Sequence, residues 1–496
     1  MHTLLGFLSF CATRVLFLFG LALLVQSLCR AQDVPYRVGP AEQYVLRGLK
    51  NGEEVDLDRP FPGKTDQRLN PVFLEKLLAG SFKDSTIERR GIRIHHAVFD
   101  LAVFVSHVTV PYEVWLNDCT FREEVDFEGT HFEKDFSLEH SRFETPPGEP
   151  AESLSLTNLV VKGDLVLRRA SFQDSADVTG SFIGGRLIGD EAEFLNTDMS
   201  LDLEDVRVEG SLFLRNATFQ GPVSLANAAV RDLYLERVQG KLQTLDLSQA
   251  VVERALRIAQ TQIQSLNASS MRAKGSAVLQ DLVIPDSLVL KNIDFHALEL
   301  LHVTPPSIPL NFQIDGLSFE HVTTGPGEHS WQELYNFIDA SAYNSQSYLQ
   351  LEAFFRAQGY SDRANSVFIA MKRKERKLLS MWSFAYWSSL ALDVLVRYGR
   401  EPGWALVYSI VFVALGVVVF WRRENMEPQK AEDANKAYSP FWYSVDLLTP
   451  FIDLQSANVW MPNKTWKAGT EYARVHRVLG WILVPIGIAA ITGLIK

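Results

Sequence analysis

Cysteine is scarce in this chain of 496 residues: only Cys11, Cys29 and Cys119 occur. The first two fall in an N-terminal stretch that reads as a removable leader, which leaves the mature chain no internal pair to oxidise. Cys119 takes a small inward position of a repeat, where a thiol packs rather than reacts. Basic residues are also in deficit, 48 against 59 acids, for a net charge of −11. Nucleic acid demands clustered Lys and Arg on its phosphates, so no nucleic-acid partner is expected. Enzyme signatures are missing as well. There is no HExxH, Gly-x-Ser-x-Gly, phosphate loop or dinucleotide fingerprint. The remaining His and carboxylates form no nucleophile–base pairing, so neither a catalytic residue nor a cofactor is expected.

What the chain does have is a repeat. From about Ile92 to Leu300 a short apolar signal recurs about every eleven residues. Its clearest copies are Val114-Trp115-Leu116 with Cys119-Thr120-Phe121, Val125-Asp126-Phe127 with Thr130-His131-Phe132, and Phe136-Ser137-Leu138 with Ser141-Arg142-Phe143. Each unit reads apolar-x-apolar, two spacers, a small residue, x and a large apolar residue. Alternation of this kind marks a strand. Strands so short bury nothing alone, so copies must stack into a solenoid with one continuous core. Thr145 to Glu152, with Pro146, Pro147, Gly148 and Pro150, breaks the period and reads as a loop leaving a corner. Glycines at 163, 185 and 210 mark corners that need positive φ or close approach.

Ala217-Thr218-Phe219-Gln220-Gly221, Ala170-Ser171-Phe172 and Ala192-Glu193-Phe194 resemble the pentapeptide-repeat family, whose coils carry a small residue two places before a central Leu or Phe. The resemblance covers under half of the chain and implies a right-handed β-helix. Here two units make a coil of about 22 residues, slightly longer than that family's coil.

Around the solenoid (residues 91–303) the composition changes. Residues 1–31 read as a secretory signal, with Arg14 before the apolar run Val15–Val25 and small residues at Cys29 and Ala31; an uncleaved anchor is the other reading. Residues 32–90 are polar and expected to cap the first coil, with Asn70–Leu78 the one helix-like piece. Residues 304–379 form a linker and a helical hairpin, with helices expected at Trp331–Ala340, Ser347–Gln358 and Ser361–Leu379. Residues 380–496 read as a small α-helical transmembrane domain. Its parts are an interfacial helix over 382–396 and spans over 404–421 and 478–495, with Pro485 inside the second.

Three clusters in this scheme bear on function. Between the two spans, residues 439–454 form a re-entrant-like, aromatic-rich segment, and the order span–segment–span resembles the pore module of two-span cation channels. That resemblance implies a pore role for Trp442, Tyr443, Asp446, Thr449 and Asp453, although the filter position lacks glycine and Pro450 removes an N–H. Lys372, Arg373, Lys374, Arg376 and Lys377 form a basic cluster next to the membrane region, suited to anionic headgroups. His96, Asp118 and His140, spaced by 22, fall at one repeat position, and a stacked His-Asp-His column could hold a metal cation. The expected function is an exported, membrane-anchored β-solenoid serving as a non-catalytic binding or scaffold module of a bacterial cell envelope. Its partners would be the lipid bilayer and a protein, or further copies of itself. The alternative is a channel-like pore or gate with the solenoid as its sensor.

Overall fold

A two-residue strand closes too few hydrogen bonds to persist alone, so every copy of the repeat depends on the next. The computed structural model describes residues 36–63, 66–82, 85–144, 153–323, 330–401, 403–449, 451 and 454–492. The leader, the Pro-rich loop at 145–152, Pro450 and Asp453 lie outside the described residues. The chain divides into two compact units, Met1–Ser307 with Phe319–Ser330, and Ile308–Ser318 with Trp331–Lys496. The first unit is a parallel β-solenoid of about ten turns whose coils are about 22 residues long.

Register follows the repeat. Ile92 pairs with Val114, Val114 with Phe136, Phe136 with Leu165, and Leu165 with Leu187, all buried in one inward column. The step from Phe136 to Leu165 is about seven residues longer than its neighbours. The surplus is accommodated without loss of register, since Phe143 still pairs with Phe172 and Val125 with Leu154. On the next sheet the large apolar position stacks Phe99, Phe121, Phe143, Phe172, Phe194 and Phe219. Their ring centroids are 4.9, 4.9, 4.8, 5.0 and 5.1 Å apart, with neighbouring planes within 16° of parallel. That spacing is the rung spacing of a parallel sheet, so the backbone imposes the ring ladder. The ladder stops at Gly240, which takes the position after Phe219. Two residues before each ring stand Ala97, Cys119, Ser141, Ala170, Ala192 and Ala217, all fully buried. There is room for nothing larger beside a stacked phenyl column. Burial pushes the Cys119 thiol up to about 12.

Corners explain the polar half of the repeat. One corner of each coil passes through a left-handed residue: His96, Asp118, His140, Arg169, Glu191, Asn216 and Arg237 follow one another, with φ of 58°, 57° and 58° at the first three. None is β-branched, as the steric limits of that region require. The column of Gly163, Gly185 and Gly210 has another cause. A Cβ at Gly185 would strike the Gly163 carbonyl, and one at Gly210 the Gly185 carbonyl, so close approach rather than positive φ selects glycine there.

Ahead of the first full coil, helices α1 (Pro40–Asn51), α2 (Pro71–Leu78) and α3 (Ser85–Arg90) bury Val45 and Leu49, Phe73, Leu74, Leu77 and Leu78, and Ile87, respectively. The expected helix at 70–78 is α2, capped by Asn70, whose side chain accepts from the Val72 N–H. Helices α1 and α3 are additions to the expected scheme. The apolar face of α1 (Ala41, Val45, Leu49) is short, and a buried glutamate completes it. Glu42 accepts from the Gly39 N–H at 2.5 Å and the Asn70 N–H at 3.0 Å, joining the starts of α1 and α2. Val55–Asp56 then pairs with Ile94–His95 and adds a rung before the repeat begins.

The second unit is helical: α4 (Ser330–Ala340), α5 (Ser345–Ala357), α6 (Ser361–Lys377), α7 (Phe384–Val396), α8 (Gly403–Val419), α9 (Pro440–Leu448), α10 (Ser456–Val459) and α11 (Lys467–Ile491). The first three match the expected helices to within two residues at each end. Helices α5 and α6 form the hairpin, with Leu351 and Phe355 buried along with Val367, Phe368 and Met371. Among the described residues no single helix is long and apolar enough to cross a membrane. The expected spans therefore differ from the helices found. Helix α8 ends at Val419, and α11 starts at Lys467 rather than Val478, with Glu471, Arg474 and Arg477 in its first turns. Helix α7 with its following turn, Phe384–Gly399, and α8 would together have the length and composition of a span, but they meet at 114°. A short antiparallel pair, Met426–Pro428 with Trp460–Pro462, brackets α9 in sequence.

Candidate functional site

The corner column and the segment before the repeat border a polar cavity of the solenoid unit. It measures about 340 Å³ and is lined by Asp58, Pro62, Gly63, Gln67, His96, Val98, Asp118, Thr120, His140 and Arg142. Three kinds of position build it. His96, Asp118 and His140 are successive left-handed corner residues. Val98, Thr120 and Arg142 are successive outward residues of the adjoining sheet, between the small residue and the ring of each unit. Asp58 and Gln67 come from outside the repeat.

Most of its charges are already matched. Asp118 sits between two imidazoles, 3.2 Å from His95 Nδ1 and 3.4 Å from His140 Nδ1. His96 turns the other way and places Nδ1 2.9 Å from Asp56. Burial raises the Asp56 carboxyl, but the Asp58 N–H, His96 and Arg59 outweigh burial and hold it below the ordinary carboxylate range. The Arg169 guanidinium lies 3.4 Å from His140 Nε2, and a guanidinium only donates, so Nε2 accepts and Nδ1 carries the proton toward Asp118. Asp58 accepts from Gln67 Nε2 at 2.9 Å. Two polar side chains of the lining have no hydrogen-bond partner among the described residues. Thr120 is 7% exposed as a whole residue, and its accessible hydroxyl makes no hydrogen bond among them. Arg142 is exposed and likewise has no side-chain partner among them.

The expected trio is thus brought into one column, as its spacing requires, but it does not converge on a point. No group of three or more His, Cys, Asp or Glu side chains among the described residues is placed to hold a metal ion. The physical reason is the corner. Left-handed φ favours His and Asp for conformational reasons, and each imidazole then satisfies itself on the nearest carboxylate.

The basic cluster also has other work. Arg373 contacts Asp393 at 2.9–3.1 Å through two nitrogens, and Arg376 reaches the same buried carboxylate at 2.9 Å and Tyr398 Oη at 3.0 Å. Lys372 pairs with Glu375 at 2.9 Å, and Lys374 Nζ lies 3.1 Å from Tyr348 Oη. Of the five expected headgroup ligands, Lys377 alone has no ion-pair partner among the described residues. A second buried acid, Glu352, is shared by Arg356 and Arg400, each at 2.8 Å. Both acids were missed in sequence because their arginines lie 4 to 48 residues away.

In the pore-like segment, α9 ends at Leu448. Tyr443 is buried with Phe420, Met426, Leu447 and Trp460, whereas Trp442 is exposed. The Thr449 hydroxyl donates to the Val445 carbonyl at 2.8 Å. Asp446 spends one carboxylate oxygen on the Leu454 N–H at 2.9 Å and the other on the Ala457 N–H at 2.5 Å. That carboxylate ties α9 to the start of α10. Ser444, fully buried, donates to the Val413 carbonyl at 3.0 Å and lies 3.2 Å from His476 Nε2, which locks α8, α9 and α11 together beside Gly416.

Thr120 and Arg142 carried a signal: they share the repeat units and the 22-residue spacing of Asp118 and His140. Asp58 and Gln67 carried none. Compared with known protein families, with curated proteins and with solved structures, the chain matches none.

Proposed function

We propose that this protein is an exported, membrane-anchored relative of the pentapeptide-repeat β-helices that works as a non-catalytic binding module of the cell envelope. Its ligand site is the polar cavity at the start of the solenoid, and its anchor is the helical domain. The observation that carries the reading is the apolar surface of that domain. Trp382 is 94% exposed, Phe384 87%, Val418 72% and Trp421 70%, and Leu406, Ile410, Trp481 and Ile488 are exposed with them. Apolar surface of that extent in contact with water favours association with lipid or protein. A groove of about 730 Å³ between α8, α9 and α11 continues it, lined by apolar residues with Ser409 and Thr449, whose hydroxyls are spent on their own helices. Aromatics at 382, 387, 421, 442 and 481 suit the membrane–water boundary. The channel-like alternative draws no support from Asp446, whose two oxygens are already hydrogen-bonded.

Membrane fractionation with an alkaline carbonate wash tests the reading. The full chain should stay with the membrane, and single cysteines at Ser439 and Ser456 should report from one side each. Release of the chain by carbonate would refute the anchor.

A further inference from the structure

We infer that the cavity at the start of the solenoid takes a short acidic saccharide, with a carboxylate on Arg142 and hydroxyls on Thr120, His96 and Asp58. The inference rests on the reading of this cavity as the module's ligand site and adds the ligand's chemical class. Its basis is the order of the lining groups along the axis. Arg68 pairs with Val98 one rung earlier, and the carbonyl of Gln67, the residue before it, accepts from the Val98 N–H at 3.1 Å. Val98, Thr120 and Arg142 occupy the next three rungs. Asp58 sits at the Gln67 end, held by the 2.9 Å hydrogen bond from Gln67 Nε2. Three rung steps separate the acid end from the cationic end, about 14 Å at ~4.8 Å each.

That separation sets the ligand's shape. A free amino acid carries its two charges side by side and cannot meet Asp58 and Arg142 together, and the nearer acid, Asp118, is already held by His95 and His140. A phosphate dianion would face one guanidinium with Asp58 and Asp118 in the same cavity. One carboxylate fits one guanidinium by two parallel hydrogen bonds, with no surplus charge. Between the ends the cavity offers hydroxyl-sized partners. The Thr120 hydroxyl makes no hydrogen bond among the described residues and is accessible from the cavity, and His96 keeps Nε2 for the cavity because Asp56 takes Nδ1. An elongated chain of hydroxyls ending in a carboxylate satisfies all of these, and about 340 Å³ holds a small one.

The test is titration calorimetry on the full chain in detergent micelles with maltotrionate (one terminal carboxylate), maltotriose and inorganic phosphate as separate probes. Maltotrionate should bind at least tenfold more tightly than neutral maltotriose. Arg142→Gln should erase that preference, and Thr120→Val should weaken both saccharides. Arg272→Gln, on an exposed strand residue away from the cavity, should change nothing, and circular dichroism should show every variant folded. Equal binding of the two saccharides, or unchanged maltotrionate affinity in Arg142→Gln, overturns the assignment. Phosphate binding without saccharide binding, abolished by Arg142→Gln, overturns the ligand class and keeps the cavity as a site. No binding by any probe overturns the assignment, while the anchor stands or falls separately on the carbonate wash.

Discussion

Removing one ring from the middle of the phenylalanine ladder should cost more than removing its last ring. Phe172 is fully buried, with Phe143 at 4.8 Å and 16° on one side and Phe194 at 5.0 Å and 10° on the other. Phe219 is equally buried but has one ring neighbour, Phe194 at 5.1 Å, because Gly240 follows. Substitution by leucine keeps most of the buried apolar area and removes the stacking. Each aromatic pair adds about 0.5–1.5 kcal/mol beyond burial. Phe172→Leu therefore loses two pairs, about 1–3 kcal/mol, and Phe219→Leu loses one, about half as much. Phe172→Ala adds a cavity and should reach about 3–5 kcal/mol. Solenoid stability is close to a sum over neighbouring coils, so the difference should survive in the intact chain. Urea unfolding followed by far-UV circular dichroism, with hydrogen exchange to assign loss to individual rungs, measures it. Equal destabilisation by Phe172→Leu and Phe219→Leu would show that the rings contribute burial alone, and the stacking argument would fail.

Three further outcomes follow from charged groups. Asp202 stacks on Asp177, and burial first, then the Asp177 charge, raises its carboxyl against the lowering effect of the Glu204 N–H. A raised folded pKa costs stability above it and none below the unfolded value, so Asp202→Asn should stabilise by about 0.5 kcal/mol at pH 7. Thermal melts should show this gain vanish below about pH 3.8, and a gain that persists there would refute the charge argument. Asp393→Ala leaves Arg376, whose side chain is 14% exposed, buried without a counter-ion, at about 3–5 kcal/mol. Adding Arg376→Leu should recover part of that loss in detergent melts, and a larger loss in the double variant would contradict it. Asp446→Asn should loosen the α9–α10 connection by about 1–3 kcal/mol. Planar bilayers holding inserted, oligomeric protein should be silent before and after this change; cation current that falls in the variant would make Asp446 a pore group after all.

The solenoid was legible in the sequence because its physics is local and repeated. The apolar-x-apolar beat, the small residue two places before a ring and the 22-residue spacing of His96, Asp118 and His140 each appear many times over, so they dictated coil length, inward columns and corner stacking. The hairpin at 345–377 was equally readable, through Gly359 and the apolar faces of α5 and α6. Spacing alone did not say what a corner column is for. Left-handed geometry selects His and Asp without regard to ligands, and only tertiary structure shows His96 leaning to Asp56 while Asp118 bridges His95 and His140. The cavity needed the same help, since Asp58 and Gln67 approach from a segment with no repeat. In the helical domain a run of basic residues looked like a surface for headgroups, and two of its arginines instead neutralise one buried aspartate about 20 residues away. Sequence determines which side chains recur on a face. The partner each charge finds depends on contacts between segments far apart in the chain, which are formed only in the folded state.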